Sequence, residues 1–230
     1  MGTARAELAP ADDADPVIEA YKQDVDRTLL RGILNLTSQE RSQKFETFME
    51  LAYELRRSEA RRYGRAEAVE TRFSVILGLL NHWRVKFIVT GGIAGLAHGL
   101  ARATFDIDLV YARDATNVRR LIEALRAFTP RLRGASPEFL FSWDETTIDL
   151  GLNFALTTVL GDIDLLGELT GAGTYEEVLP HTAELEIFGQ RCQCVTLERL
   201  IQIKRAAGRP KDFEMIAQMQ ALLEERRKQR

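Results

Sequence analysis

The sequence predicts an α/β fold, of the α+β kind, behind an all-helical segment, and three observations predict it. Residues 24–82 carry apolar positions at helical spacing without the glycine–proline punctuation that separates strands. From Val85 onward, strand-length apolar runs alternate with amphipathic stretches. Two later pairs of such runs are joined by tight turns, as hairpins are. The expected organisation is a disordered lead-in over 1–23, a helical extension over 24–83, and an α/β domain over 84–230 that includes the C-terminal helices.

The elements follow in order. "MGTARAELAPADDADP" is rich in Ala, Asp and Pro and has no apolar stretch of the kind a secretory signal needs, so it reads as a lead-in without structure. Thr37 stands three residues before Glu40, the spacing of a capping box, and Phe45, Phe48, Met49, Ala52 and Leu55 then mark one apolar helix face. A second helix is expected from about Ala66 to Leu80, through Val69, Phe73, Ile76, Leu77 and Leu80. "VKFIVT" reads as a buried strand, the segment after Gly92 as a short helix, and "DIDLVY" as another strand. "DATNVRRLIEALRAF" is amphipathic, with Asp114 or Thr116 as N-cap. Leu150 to Leu166 reads as a hairpin turning at Leu160-Gly161, and "AELEIF" to "RCQCV" as a second one turning at Gly189-Gln190. "LERLIQIKRA" and "FEMIAQMQALLEERR" close the chain as helices.

Composition narrows the function classes. A 45% apolar fraction with 28% charged residues is that of an ordinary soluble globular protein, and a cytoplasmic location is expected. No apolar run approaches the length of a membrane span. The net charge of -3 is uneven, because residues 199–230 carry nine basic against four acidic residues. A basic tail on an acidic body attracts phosphates, although "EERRKQR" alone also reads as a solvated helix end. Cys192 and Cys194 alternate on one strand, which is poor disulfide geometry, so both are expected as reduced thiols.

The stretch "FIVTGGIAGLAHGLARATFDIDLVY" holds the chemistry. Side chains alternate along a strand, so Asp106 and Asp108 project together while Ile107 enters the core. Two adjacent carboxylates repel, and a divalent cation resolves the conflict. Mg²⁺ suits this setting because it takes hard oxygen ligands and binds a few carboxylates together with substrate phosphates. Gly91 and Gly92, before a helix, offer backbone N–H groups to those phosphates. A dehydrogenase-type dinucleotide turn is the rival reading, but no tyrosine of the chain is followed four residues later by lysine.

Gly91-Gly92, thirteen further residues, and then Asp106-Ile107-Asp108 between apolar positions resemble the signature of the DNA polymerase β-like nucleotidyltransferase superfamily. The resemblance spans roughly residues 80–220. It implies a short mixed sheet flanked by helices and transfer of a nucleoside monophosphate from an NTP to an acceptor, with release of pyrophosphate. Mg²⁺ or Mn²⁺ is the implied cofactor. A third carboxylate on a neighbouring strand is also implied, and "GDIDLLGEL" offers Asp164, inside the strand, with Asp162 as the alternate. "VTLERLIQIKRAAGRPKDFEMI" is similar to the closing segment of small bacterial nucleotidyltransferases of the abortive-infection and toxin–antitoxin (AbiEii-like) type. That likeness implies triphosphate contact from Lys204, with Arg209, Lys211 and Asp212 completing the site. Arg102 and Thr104 also match the group's pattern. The second glycine is often serine in the wider superfamily; here it is Gly92. His82, His98 and His181 match no catalytic position, and His98 is expected as a surface or packing residue.

The implied activity is therefore metal-dependent NMP transfer to a hydroxyl of a tRNA 3′ end, a protein or a small molecule, with a toxin-like role in bacterial defence. The alternative is a catalytically inactive module of the same fold, acting through its N-terminal helices. Those helices resemble small helical proteins encoded beside such enzymes, so they read either as an antitoxin-like arm or as a buttress for the sheet.

Overall fold

The computed structural model describes residues 10–11, 13–63, 69–136, 138 and 140–229. Its strands form one mixed sheet of seven, flanked by helices. The helices are α1 (Pro16–Gln23), α2 (Arg27–Leu34), α3 (Ser38–Arg62), α4 (Phe73–His82), α5 (Gly91–His98), α6 (Ala115–Arg126), α7 (Glu145–Leu150), α8 (Tyr175–Val178), α9 (Leu197–Ala207) and α10 (Phe213–Gln229). The strands are β1 (Phe87–Thr90), β2 (Asp106–Tyr111), β3 (Arg131–Leu132), β4 (Asn153–Thr158), β5 (Gly161–Leu166), β6 (Thr182–Ile187) and β7 (Gln190–Val195), in the order β3-β4-β5-β2-β1-β7-β6. Both expected hairpins form, β4–β5 and β6–β7. β1 runs antiparallel to β2, whereas β2–β5 and β1–β7 are parallel. No helix among the described residues is long and apolar enough to cross a membrane.

The N-terminal region departs from the sequence reading. Pro16–Gln23, placed in a structureless lead-in, form α1. Asp15 caps it by accepting from Val17 N–H at 2.8 Å, and Pro16 occupies the first turn, where its missing N–H costs nothing. Ile18 is buried, and Lys22 reaches Glu224 of α10 at 2.6 Å. Arg27 and Arg31 of α2 meet Glu225 of α10 at 3.1 and 2.7 Å. Residues 1–9 and 12 lie outside the described ones.

The capping box of α3 forms as read, with Thr37 and Glu40 exchanging hydrogen bonds. Its buried face is Ser42, Phe45, Met49 and Tyr53, however, and Phe48 and Leu55 are more than half exposed. Tyr53 rather than Leu55 turns inward because its hydroxyl accepts from Thr71 N–H at 2.9 Å and its ring meets Phe105 edge-on. The helix expected from Ala66 begins only at Phe73. Residues 64–68 are not among those described, and Arg72 N–H donates to Leu160 O at 2.8 Å, a tie to the β4–β5 turn that a helix could not make.

The core lies on the central strands. Every residue of β1 is buried, as are Ile107 and Leu109 of β2 and Ile163 and Leu165 of β5. Cys192 and Cys194 are buried free thiols, and burial pushes Cys192 up to about 12, so neither is a ready nucleophile. His98 is buried rather than superficial. Its Nε2 lies 2.7 Å from Val195 O, and burial drives it down to about 4, so it is a neutral packing residue.

Candidate active site

The parallel pairing of β2 and β5 sets Asp106 opposite Asp162 and Asp108 opposite Asp164. Both strands alternate buried and half-buried positions, so four carboxylates share one face of two neighbouring strands. The two "DID" runs thus converge in space, which the spacing along the chain did not dictate. The face is oriented by neutral donors at its rim. Thr104 Oγ1 donates to Asp106 at 2.9 Å and Thr157 Oγ1 to Asp162 at 2.8 Å.

Thr90 pairs with Asp108 across β1–β2, and the chain turns there directly into α5. Gly91 has φ 61°, in the left-handed region, and a Cβ built on it would overlap the Asp108 carboxylate. The helix N-terminus is therefore pressed against the aspartate. Gly92 N–H, read as a phosphate donor, donates to Asp108 in this state. Thr104 fills the space where a Gly92 Cβ would stand.

Burial, and then the charges of Asp106 and Asp164, push Asp108 up to about 6, against weaker relief from Lys204 and the Gly92 amide. Asp164 is also raised, chiefly by burial and against the pull of Arg133. Asp108 stands opposite Asp164 in the register and is raised by its charge, while Asp162 accepts from Thr157.

The C-terminal set is only partly gathered. Lys204 Nζ lies 3.5 Å from Asp212 Oδ1, and Asp212 is buried with Oδ2 lacking a hydrogen-bond partner. Arg209 is exposed just before the turn Pro210–Asp212. The side chain of Lys211 lies outside the described residues. Arg102 points to Glu214, at 4.0 Å, rather than to the aspartates.

Two residues of the site carried no sequence signal. Arg133 follows the two-residue β3 and places its guanidinium among Asp106, Asp162 and Asp164, at 3.4, 3.2 and 2.6 Å. Thr71 joins the starts of the two aspartate strands: its hydroxyl donates to Phe105 O at 2.5 Å and accepts from Asp162 N–H at 3.1 Å. Neither belongs to a motif, because both act through contacts remote in sequence.

The donor set fits a divalent cation. It offers hard carboxylate oxygens from four aspartates beside one guanidinium. No three His, Cys, Asp or Glu side chains among the described residues are already drawn around one point, and the Arg133 guanidinium lies between Asp106 and Asp164.

No curated protein matches the chain. Among solved structures, it is similar to the lincosamide antibiotic adenylyltransferase LnuA bound to lincomycin, at 14% identity and TM-score 0.44, over 67% of this chain and 97% of that one. It is similar also to the antibiotic-resistance factor ANT(2'')-Ia, at 15% identity and TM-score 0.42, over 68% of this chain and 90% of that one. These likenesses are too distant to carry any inference about substrate. The model of a family described as nucleotidyl transferase of unknown function (DUF2204) matches residues 70–229, the whole sheet with its four aspartates included. The chain is a nucleotidyltransferase and belongs to that family.

Proposed function

We propose that the chain transfers a nucleoside monophosphate from an NTP to an acceptor hydroxyl, with Asp106, Asp108 and Asp164 as its reactive carboxylates. The observation that carries this reading is the register of β2 and β5, which sets paired aspartates beside the glycine-led N-terminus of α5. Mg²⁺ or Mn²⁺ held by these three would supply charge neutralisation for the triphosphate and the departing pyrophosphate. Asp108, raised by burial and then by the charges of Asp106 and Asp164, is the group that would gain most from that charge.

Lys204 presents an ammonium to the triphosphate and is steadied by Asp212. Gly92 N–H, at the start of α5, would be free for a phosphate once Asp108 were held by a cation. Asp164 accepts the proton of the acceptor hydroxyl as its oxygen bonds to the α-phosphorus. The bond from that phosphorus to the bridging oxygen breaks, and pyrophosphate leaves. The rate then rests on positioning and charge stabilisation, with no covalent enzyme intermediate.

The helical front is read as a buttress. Tyr53 reaches Thr71, and Thr71 ties the two aspartate strands. A toxin-like role of the abortive-infection type draws support from the Lys204–Asp212 pair and from the sequence resemblance. The choice among tRNA, protein and small-molecule acceptors falls to experiment. One observation favours a second reading, a fold kept for binding without turnover: a guanidinium already sits among the carboxylates.

The test is incubation with each α-labelled NTP and Mg²⁺ or Mn²⁺ against separate RNA, protein and metabolite pools. Label should move to one pool and be lost in Asp106→Asn and Asp108→Asn. Turnover surviving in those variants overturns the site, and a wild-type chain that binds no NTP with metal present favours the binding module.

A further inference from the structure

We propose that Arg133 is the resident counter-ion of the carboxylate centre and that a divalent cation enters by displacing it, so the β3 edge sets whether the site can be loaded. This rests on the assignment of Asp106, Asp108 and Asp164 as the metal-binding set.

The geometry is that of a placeholder. One guanidinium serves three carboxylates from two strands, each through a single atom pair: Nη1 to Asp106 at 3.4 Å, Nε to Asp162 at 3.2 Å and Nη2 to Asp164 at 2.6 Å. Arginine binds best as a fork on one carboxylate, with two parallel bonds. Here only the Asp164 contact is short. Nε is buried without a well-directed hydrogen bond, and Nη2 is shared with Leu156 O at 3.4 Å. The guanidinium thus neutralises the centre incompletely and with an idle donor, which keeps the cost of leaving low.

Its backbone allows the exchange. Arg133 N–H is moored to Ala155 O at 2.8 Å, so the residue stays at the sheet edge wherever its side chain goes. Gly134 follows, with nothing near the place a side chain would take. Lys204, whose charge also acts on Asp108, is engaged with Asp212. A divalent ion brings twice the charge of the guanidinium in a smaller radius, and it can be shared by Asp106, Asp108 and Asp164 at once.

The experiment measures Mn²⁺ binding without nucleotide, by calorimetry and by the free-ion paramagnetic signal. Wild type is compared with Arg133→Gln, Arg133→Lys and Arg131→Gln, the last an exposed charge two residues earlier, on β3. If the guanidinium-bound form holds about nine-tenths of the molecules, its removal tightens apparent affinity about tenfold. Arg133→Gln should show that gain, Arg133→Lys a smaller one, and Arg131→Gln almost none. Arg133→Gln should also melt lower than wild type in chelator and regain its stability with Mn²⁺.

Unchanged or weaker Mn²⁺ binding in Arg133→Gln overturns the proposal, as does an equal gain in Arg131→Gln, which would make the effect one of net charge. If Arg133→Gln does not fold, Arg133→Lys carries the test, and an affinity equal to wild type overturns it. Absence of Mn²⁺ binding in every variant would instead remove the metal assignment on which the proposal stands.

Discussion

Gly91→Ala separates the cost of a strained backbone from the cost of a displaced aspartate. Gly91 holds φ 61°, where an L-residue loses about 1–2 kcal/mol. For a chain of this size that lowers the melting temperature by about 2–8 °C. The new methyl would also overlap the Asp108 carboxylate and lie 2.8 Å from its Cβ. Carbon atoms pack at about 3.5–4.0 Å, so Asp108 must retreat by about 1 Å. A shift of that size in a reacting group costs on the order of 10²-fold in rate. Gly189 supplies the control, because it has φ 73° and open space where a Cβ would stand. Gly189→Ala carries the same strain with no carboxylate in the way. Melting by scanning fluorimetry and metal-dependent NTP turnover are measured on both. The expected result is a loss of stability in both variants, larger in Gly91→Ala by the cost of moving Asp108, and a rate loss in Gly91→Ala alone. Gly91→Ala turning over within about threefold of wild type would refute the reasoning.

Four more outcomes are expected. Because the Asp108 carboxyl sits at about 6, above its ordinary value, protonation favours the fold, and that stability is lost as pH rises through about 6. Asp108→Asn should therefore raise the metal-free melting temperature at pH 7.5, by up to roughly 3 kcal/mol in stability, and give little at pH 4; a lower melting temperature at pH 7.5 contradicts this. Metal affinity should also weaken as pH falls below about 6, since the proton competes with the cation. Thr71→Val leaves Phe105 O and Asp162 N–H without their hydroxyl partner and should cost about 1–3 kcal/mol in urea unfolding, whereas Thr71→Ser should retain most of it. Glu225→Ala removes the shared partner of Arg27, Arg31 and Lys228, so trypsin should cut within α1–α2 sooner than in wild type; an unchanged digest would show the charges idle. Contacts from these cations, Arg31 first, hold the Glu225 carboxyl at about 2, so its contribution is present at ordinary pH and is lost progressively as pH falls from 4.5 to about 2.

Much of the frame was legible along the chain because it rests on local signals. The Thr37–Glu40 box, the Asp114 cap, the two hairpins and the alternation in "DIDLVY" are each written within a few residues. The Asp15-Pro16 start of α1 was equally local, but the acidic, proline-bearing composition around it reads as disorder until α10 supplies a surface to dock on. The inward face of α3 was misjudged for a related reason. Phe48 and Leu55 are as apolar as Phe45 and Met49, and tertiary contacts such as the Tyr53–Thr71 bond and the Phe45–Phe73 ring pair choose between the two faces.

By itself the sequence determined that two pairs of aspartates sit on strands, each pair on one face, and that glycines precede a helix beside the first pair. Strand alternation and turn chemistry are properties of neighbours along the chain. Tertiary structure alone decided that the two pairs meet, since the parallel register of β2 and β5 joins residues more than fifty positions apart. It alone placed Arg133 among them and Lys204 against Asp212. Electrostatic contacts of this kind depend on distance through space, and no spacing in the sequence encodes that distance.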